Sequence, residues 1–193
     1  MSYQKTQQPT WLYKPIEVKN LAQIQNEILP ILLRKMPNFI HEPYDFFQLL
    51  PEDIITYAPS YVEFIKTFGI YERWYMSAVI TTNKGIDFPI HVDSRDWNTV
   101  CYGLNIPIIN CEGSYTVWYD TEIGGPFHPP GDFRERACHQ KEGSPAKEIG
   151  RWDANKPAWI NVSIPHRPES AHIKPRAVLS ARFEPDLHDL LHE

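Results

Sequence analysis

The chain is poor in cysteine, with three in 193 residues. An odd and sparse set excludes a disulfide framework. Cys138-His139 has no second Cys/His pair at finger spacing, so it reads as part of a loop rather than of a zinc site, while Cys101 and Cys111 fall in stretches that read as buried strands. No apolar run reaches membrane-spanning length, and residues 1–8 lack the apolar centre of a signal peptide, so a soluble, cytoplasmic protein is expected. Positive charge is not in surplus either. The net charge of −5 argues against a general affinity for nucleic acid or an anionic membrane. There is no internal repeat, no low-complexity tract, and no glycine-rich phosphate loop after a strand.

Eighteen prolines, by contrast, are many, and favour turns, edges and irregular loops over a helical bundle. The length suits one domain, 1–193. Residues 1–69 read as an extended arm followed by helices. Leu21, Ile24, Ile28, Leu29, Leu32 and Leu33 recur at helical spacing over 18–36, with an interruption or kink expected near Pro30. Within 46–68, Pro51-Glu52-Asp53 starts a helical turn, and Tyr61, Phe64, Ile65 and Phe68 form a second apolar stripe before Gly69 closes the helical half. Residues 70–184 are rich in β-branched and aromatic residues separated by turns, with strands expected at 71–82, 88–92, 98–109, 114–119, 159–164 and 177–183 and a weak one at 146–149. The long segment 121–153 reads as a lid or binding insert, and 185–193 as a polar tail. Helices followed by short strands predict an α+β fold, with helices buttressing a β-sandwich or jelly roll.

One stretch carries chemistry. In Phe88-Pro89-Ile90-His91-Val92-Asp93, strand alternation turns His91 and Asp93 to the same face. An imidazole and a carboxylate so placed form two thirds of a facial triad for non-haem Fe(II). Eight histidines and 24 acidic residues nevertheless predict about one His-x-Asp/Glu by chance, so context must decide. Val162, Ile164 and His166 share a parity, so a strand ending at Pro165-His166 would present His166 at its mouth. His41 lies in the helical half, His128 and His139 in the loop, and His188 and His192 in the tail, which leaves His172 as the close competitor.

Further along, Arg176, Val178, Ser180 and Arg182 share one face of a late strand. A guanidinium on an otherwise apolar β-element is costly unless an anion accompanies it, and its planar fork suits a carboxylate. A single such arginine has a structural alternative, ending at solvent or pairing with a core acid.

With His91-Val92-Asp93, His166 and then Arg176 ten residues later, the chain resembles the Fe(II)- and 2-oxoglutarate-dependent oxygenases over roughly 70–184. Leu104-Asn105-Ile106-Pro107-Ile108 and the run from His166-Arg167-Pro168-Glu169 to Arg176-Ala177-Val178-Leu179 look most like the aspartyl/asparaginyl and prolyl hydroxylase-like branches. The resemblance implies a double-stranded β-helix (cupin-like jelly roll) and a metal held by His91, Asp93 and His166. It also implies a 2-oxoglutarate far carboxylate held by Arg176, with Ser180 beside it, and a hydroxylase that consumes O2 and releases succinate and CO2. Two features depart from that pattern. Val178 stands where many members carry serine or threonine, and Arg182 offers a second anion anchor. Tyr102 and Asn105 are further candidates for hydrogen bonds to the cosubstrate. Trp97, Trp118 and Tyr119 are candidate pocket walls, and Arg95 and 121–153 candidate substrate contacts. The rival readings are a cupin-type metalloprotein that does not use 2-oxoglutarate, and a non-catalytic β-sandwich binding module. The substrate class, protein side chain or small molecule, is left open.

Overall fold

The computed structural model describes residues 11–38, 44–83, 87–93, 101–126, 137–183, 187 and 191. Helix α1 (Leu21–Lys35) runs uninterrupted through Pro30, contrary to the expected break. Its buried stripe is Ile24, Ile28, Ile31 and Leu32, while Leu33 faces solvent. The helical turn expected at Pro51-Glu52-Asp53 opens α2 (Pro51–Tyr57), followed by α3 (Pro59–Lys66), but the start of the 46–68 segment, read as part of the helical half, belongs to a strand, β2 (Tyr44–Leu49). An aromatic run satisfies its backbone groups by pairing along β3, and that tertiary pairing decides its state. Each short helix begins at a proline, which fits the first turn and biases the residue before it away from helix.

Among the described residues, twelve strands form two antiparallel sheets of six, a jelly-roll β-sandwich. Besides β2 they are β1 (Tyr13–Pro15), β3 (Trp74–Thr82), β4 (His91–Asp93), β5 (Tyr102–Ile109), β6 (Ser114–Asp120) and β7 (Ile123–Pro126), then β8 (Ala137–Gln140), β9 (Lys147–Asp153), β10 (Ala158–Asn161), β11 (His166–Ser170) and β12 (Arg176–Phe183). One sheet has the order β1-β10-β5-β12-β3-β2 and the other β7-β8-β4-β11-β6-β9. From β3 to β6, and again from β9 to β12, each strand crosses to the opposite sheet from its predecessor, which winds the chain around a shared interior.

The helices cover the outer face of the first sheet. Ile24, Ile28, Tyr61 and Ile65 share a core there with Val79, Leu104, Ile106 and Leu179. Strand parity therefore turns Ala78, Thr82, Asn105, Arg176, Ser180 and Arg182 to the interior. The N-terminal arm closes the edge of this sheet by pairing β1 with β10. Leu187, in the stretch expected to be a polar tail, is buried in the core. Cys138 and His139, expected in a loop, lie on β8. The segment 121–153 contributes β7, β8 and β9 to the second sheet, so its described part is sheet rather than lid. Among the described residues, no helix is long and apolar enough to cross a membrane.

Candidate metal centre

Strand β4 is three residues long, and its alternation does what the tripeptide predicts. Val92 is buried on one side, while His91 and Asp93 project together on the other. The third group arrives by a different route from the one expected. The strand carrying Ile160 stops at Asn161, where the Asn161 carboxamide oxygen accepts hydrogen bonds from the Ser163 backbone N–H (3.1 Å) and hydroxyl (2.6 Å). This Asx-type turn sends the chain across to the opposite sheet. His166 then opens β11 directly opposite His91, while β8 flanks β4 on its other side. Cross-strand register, not continued parity along one strand, brings the two imidazoles to ring centroids 4.6 Å apart.

One ligand atom each from His91, Asp93 and His166 lies within 4.8 Å of the others. Both imidazoles are oriented by nearby backbone: His91 Nδ1 lies 2.9 Å from the Pro89 carbonyl and His166 Nδ1 2.9 Å from that of Ile164. A carbonyl only accepts, so each Nδ1 carries the proton, and in the neutral ring Nε2 keeps its lone pair for a cation. Burial, reinforced by His91 and opposed by Asp93, pushes the His166 pKa down to about 3, which keeps that ring neutral at physiological pH. Asp93 is the reverse case. Burial opposes its ionisation, but Arg182 and the two histidines outweigh that and hold the carboxyl well below the usual carboxylate range.

Arg182 reaches across the interior from β12, and its Nη2 donates to Asp93 Oδ2 at 2.6 Å. The other oxygen, Oδ1, faces His91 Nε2 at 3.4 Å. One carboxylate oxygen is thus fixed and the other left toward the histidines, the arrangement of a monodentate ligand with an outer-shell partner. Arg182 Nη1 also donates to the Ser180 hydroxyl, which in turn donates to Asn105 Oδ1. Gly103 provides the clearance, since a Cβ there would lie 2.3 Å from Arg182 Nη1. Two imidazole nitrogens and one ionised carboxylate are a donor set for a divalent first-row metal, and they leave one side of the ion open.

Arg176, at the other end of β12, has a different environment. It is only 2% exposed, and its Nε has no hydrogen-bond partner. Burial lowers its pKa, and its one titratable neighbour among the described residues is Cys111. Burial likewise raises the Cys111 pKa, and its Sγ donates to the Ala177 carbonyl at 3.1 Å, so Cys111 remains a thiol and supplies no counter-charge. A guanidinium stays protonated at any physiological pH, so a positive charge sits inside the sandwich without a carboxylate beside it among the described residues.

Not every expected site residue converges. Tyr102 points to the helix side, where its ring stacks on Trp11 at 4.6 Å. Trp118 does line the interior next to His166, fully buried, with Nε1 donating to the Asn161 carbonyl. Tyr119 faces outward and donates to Glu169 at 2.6 Å; burial and Glu169 push its pKa up to about 12. His172 sits far from the triad, beside Gly113, where it lines a cleft of about 500 Å³ with Asn110, Glu112 and Lys174. His139 stands opposite His91 on β8, with ring centroids 6.1 Å apart, and is the neighbour that its assignment to a loop concealed. Arg95, Trp97, His41, His128, His188 and His192 lie outside the described residues.

No model of a protein family matches the sequence. No curated protein matches it either. Solved structures with similar architecture include the non-heme alpha ketoglutarate dependent carbocyclase SnoK from nogalamycin biosynthesis, at 11% identity and TM-score 0.49 over 92% of this chain and 82% of that one. Others are E. coli ycfD, at 11% identity and TM-score 0.40 over 92% of this chain and 48% of that one, and a point variant of the oxalate decarboxylase of Bacillus subtilis, at 10% identity and TM-score 0.37 over 75% of this chain. The aligned region spans only 27% of the oxalate decarboxylase chain. Likeness at this level does not extend to activity, which follows from the site alone.

Proposed function

We propose that the protein is an Fe(II)- and 2-oxoglutarate-dependent dioxygenase that hydroxylates an amino-acid side chain or small molecule and releases succinate and CO2. The observation that carries the cosubstrate is Arg176, a buried guanidinium without a counter-anion among the described residues, on the same interior face as the groups around the triad. A cupin-type metal site that does not use a keto acid has no need of that charge. His91, Asp93 and His166 would hold the metal, and their donor set suits Fe(II) with open positions for a chelating keto acid and O2. The metal would supply oxygen activation coupled to decarboxylation of the keto acid. The chain's own part is positional. Nδ1 hydrogen bonds aim the two imidazoles, Arg182 fixes the Asp93 carboxylate, and Trp118 walls the His166 side against water. Because Arg182 is engaged by Asp93, with Ser180 and Asn105 joined to the same chain of hydrogen bonds, Arg176 is left as the anchor for the far carboxylate.

The test is anaerobic addition of Fe(II) and then 2-oxoglutarate to the purified protein. A visible metal-to-ligand charge-transfer band is expected, and its absence from correctly folded protein overturns the proposal. His166→Ala should weaken Fe(II) binding by more than about a hundredfold, a larger loss than removal of an outer-shell partner brings.

A further inference from the structure

Arg182 Nη2 donates to Asp93 Oδ2 at 2.6 Å, a hydrogen bond that an uncharged amide could also make. What a guanidinium adds is charge. The ionised carboxyl and the guanidinium cancel, and imidazoles that ligate a metal are neutral, so the triad with Arg182 carries no net charge before a cation arrives. Among the described residues, the charged side chains that act on Asp93 and His166 all belong to this cluster, and no second carboxylate is among them. Other acids around this sheet are held elsewhere by arginines: Asp87 and Glu169 by Arg167, and Glu148 by Arg151. His139, opposite His91 on β8, brings an imidazole and not an acid to that side. Arg176, at the other end of β12, adds a positive charge without a counter-anion among the described residues.

With a divalent metal and the 2-oxoglutarate dianion in place, the positive charges of the metal and Arg176 exceed the negative charges of the keto acid by one. If an uncharged residue stood in place of Arg182, the charge of Asp93 would bring the same sum to zero. The surplus therefore originates in the ion pair at the metal centre, and it lies inside a sandwich where charge is weakly screened. We infer that the primary substrate presents an anionic group, such as a carboxylate, to the open side of the metal centre; this rests on the function proposed above. The surplus charge attracts that group, repels a cation, and does nothing for a neutral group of the same shape. Arg182 is on this reading a specificity-determining residue as well as the partner of Asp93.

The experiment uses anaerobic protein loaded with Fe(II) and 2-oxoglutarate. It is titrated at constant ionic strength with methanesulfonate or with its uncharged isostere dimethyl sulfone, neither of which is a strong metal ligand. Shifts of the charge-transfer band, together with calorimetry, give the two affinities. Methanesulfonate should bind more than about tenfold more tightly, roughly the factor that a unit charge about 10 Å away supplies at an effective dielectric of about 20. The preference should persist in Arg182→Lys, which keeps the charge, and fall toward parity in Arg182→Gln, which removes it. In the wild type, equal affinities, failure of methanesulfonate to bind, or loss of the band through displacement of the keto acid overturns the inference and leaves the cosubstrate standing. Those wild-type readings decide the matter even where a variant fails to fold or to hold iron. A full preference retained in Arg182→Gln also overturns it. A wild-type protein that shows no charge-transfer band overturns the proposed function itself and this inference with it.

Discussion

Arg182 and Arg176 occupy opposite ends of one strand and point into the same interior, yet their surroundings have little in common. Arg182 meets a carboxylate at 2.6 Å, a serine hydroxyl and a backbone carbonyl. Arg176 meets a thiol that stays protonated and faces a threonine hydroxyl with no partner. One end of β12 is electrostatically complete as folded, and the other has no counter-charge among the described residues. Buried charge thus stands in two settings on this strand: at one end against the carboxylate of the candidate metal centre, and at the other without a counter-anion among the described residues.

Replacing each arginine by a residue of similar length gives the widest separation between the two ends. Arg182→Met strands Asp93 without its partner and should lower the unfolding free energy of the metal-free protein by about 3 kcal/mol, read from urea denaturation. Arg176→Met removes an uncompensated charge, so it should leave that stability unchanged or raise it while abolishing 2-oxoglutarate binding. Equal destabilisation by both would erase the distinction.

A smaller effect is expected at Gly103. The Cβ of Gly103→Ala would lie 2.3 Å from Arg182 Nη1 and push the guanidinium off Asp93, at a cost of about 1–3 kcal/mol. Divalent-metal affinity should fall with it, and 2-oxoglutarate affinity should fall only as far as the metal is lost. Competitive metal titration with a chromophoric chelator checks this.

The smallest effect per step is that of pH on the metal-free protein. His166 titrates near 3 when folded against an ordinary 6.5, so between those values the unfolded chain binds a proton that the folded one refuses. Stability is therefore fully present above about pH 6.5 and declines as pH falls toward 3, with a slope of at most about 1.4 kcal/mol per pH unit from this residue. Asp93, whose folded pKa is also depressed, adds a decline of the same sign below its ordinary 3.8. In His166→Gln the decline between about pH 6.5 and pH 4 should flatten, while Arg176→Met should leave it unchanged.

Local alternation made some of this site readable from residue order and left the rest hidden. His91 and Asp93 are two residues apart, and so are Ser180 and Arg182; a strand's period of two puts each pair on a shared face without any knowledge of the fold. His166 meets His91 by a route that parity did not foresee, because the turn at Asn161 moves the chain to the other sheet and register with His91 then aligns it. Tyr102 and Tyr119 could not be sorted by type, since aromatic rings suit the helix-covered face, the outer face and the interior alike. Which arginine would be neutralised depends on Asp93 reaching across the gap between sheets, a contact 89 positions apart in the chain. Residues 44–49 misled because pairing with β3, not local propensity, decides their state.

Both histidines of the candidate metal centre follow closely upon a proline: Pro89 supplies the carbonyl that orients His91, and Pro165 links Ile164, whose carbonyl orients His166, to the histidine itself. Proline narrows the torsional freedom of the chain at the points from which the two rings are aimed. The donor nitrogens are consequently held in their working directions by covalent stiffness nearby, whatever the surrounding side chains do. Part of the entropy that a cation would otherwise have to remove on binding has already been given up during folding.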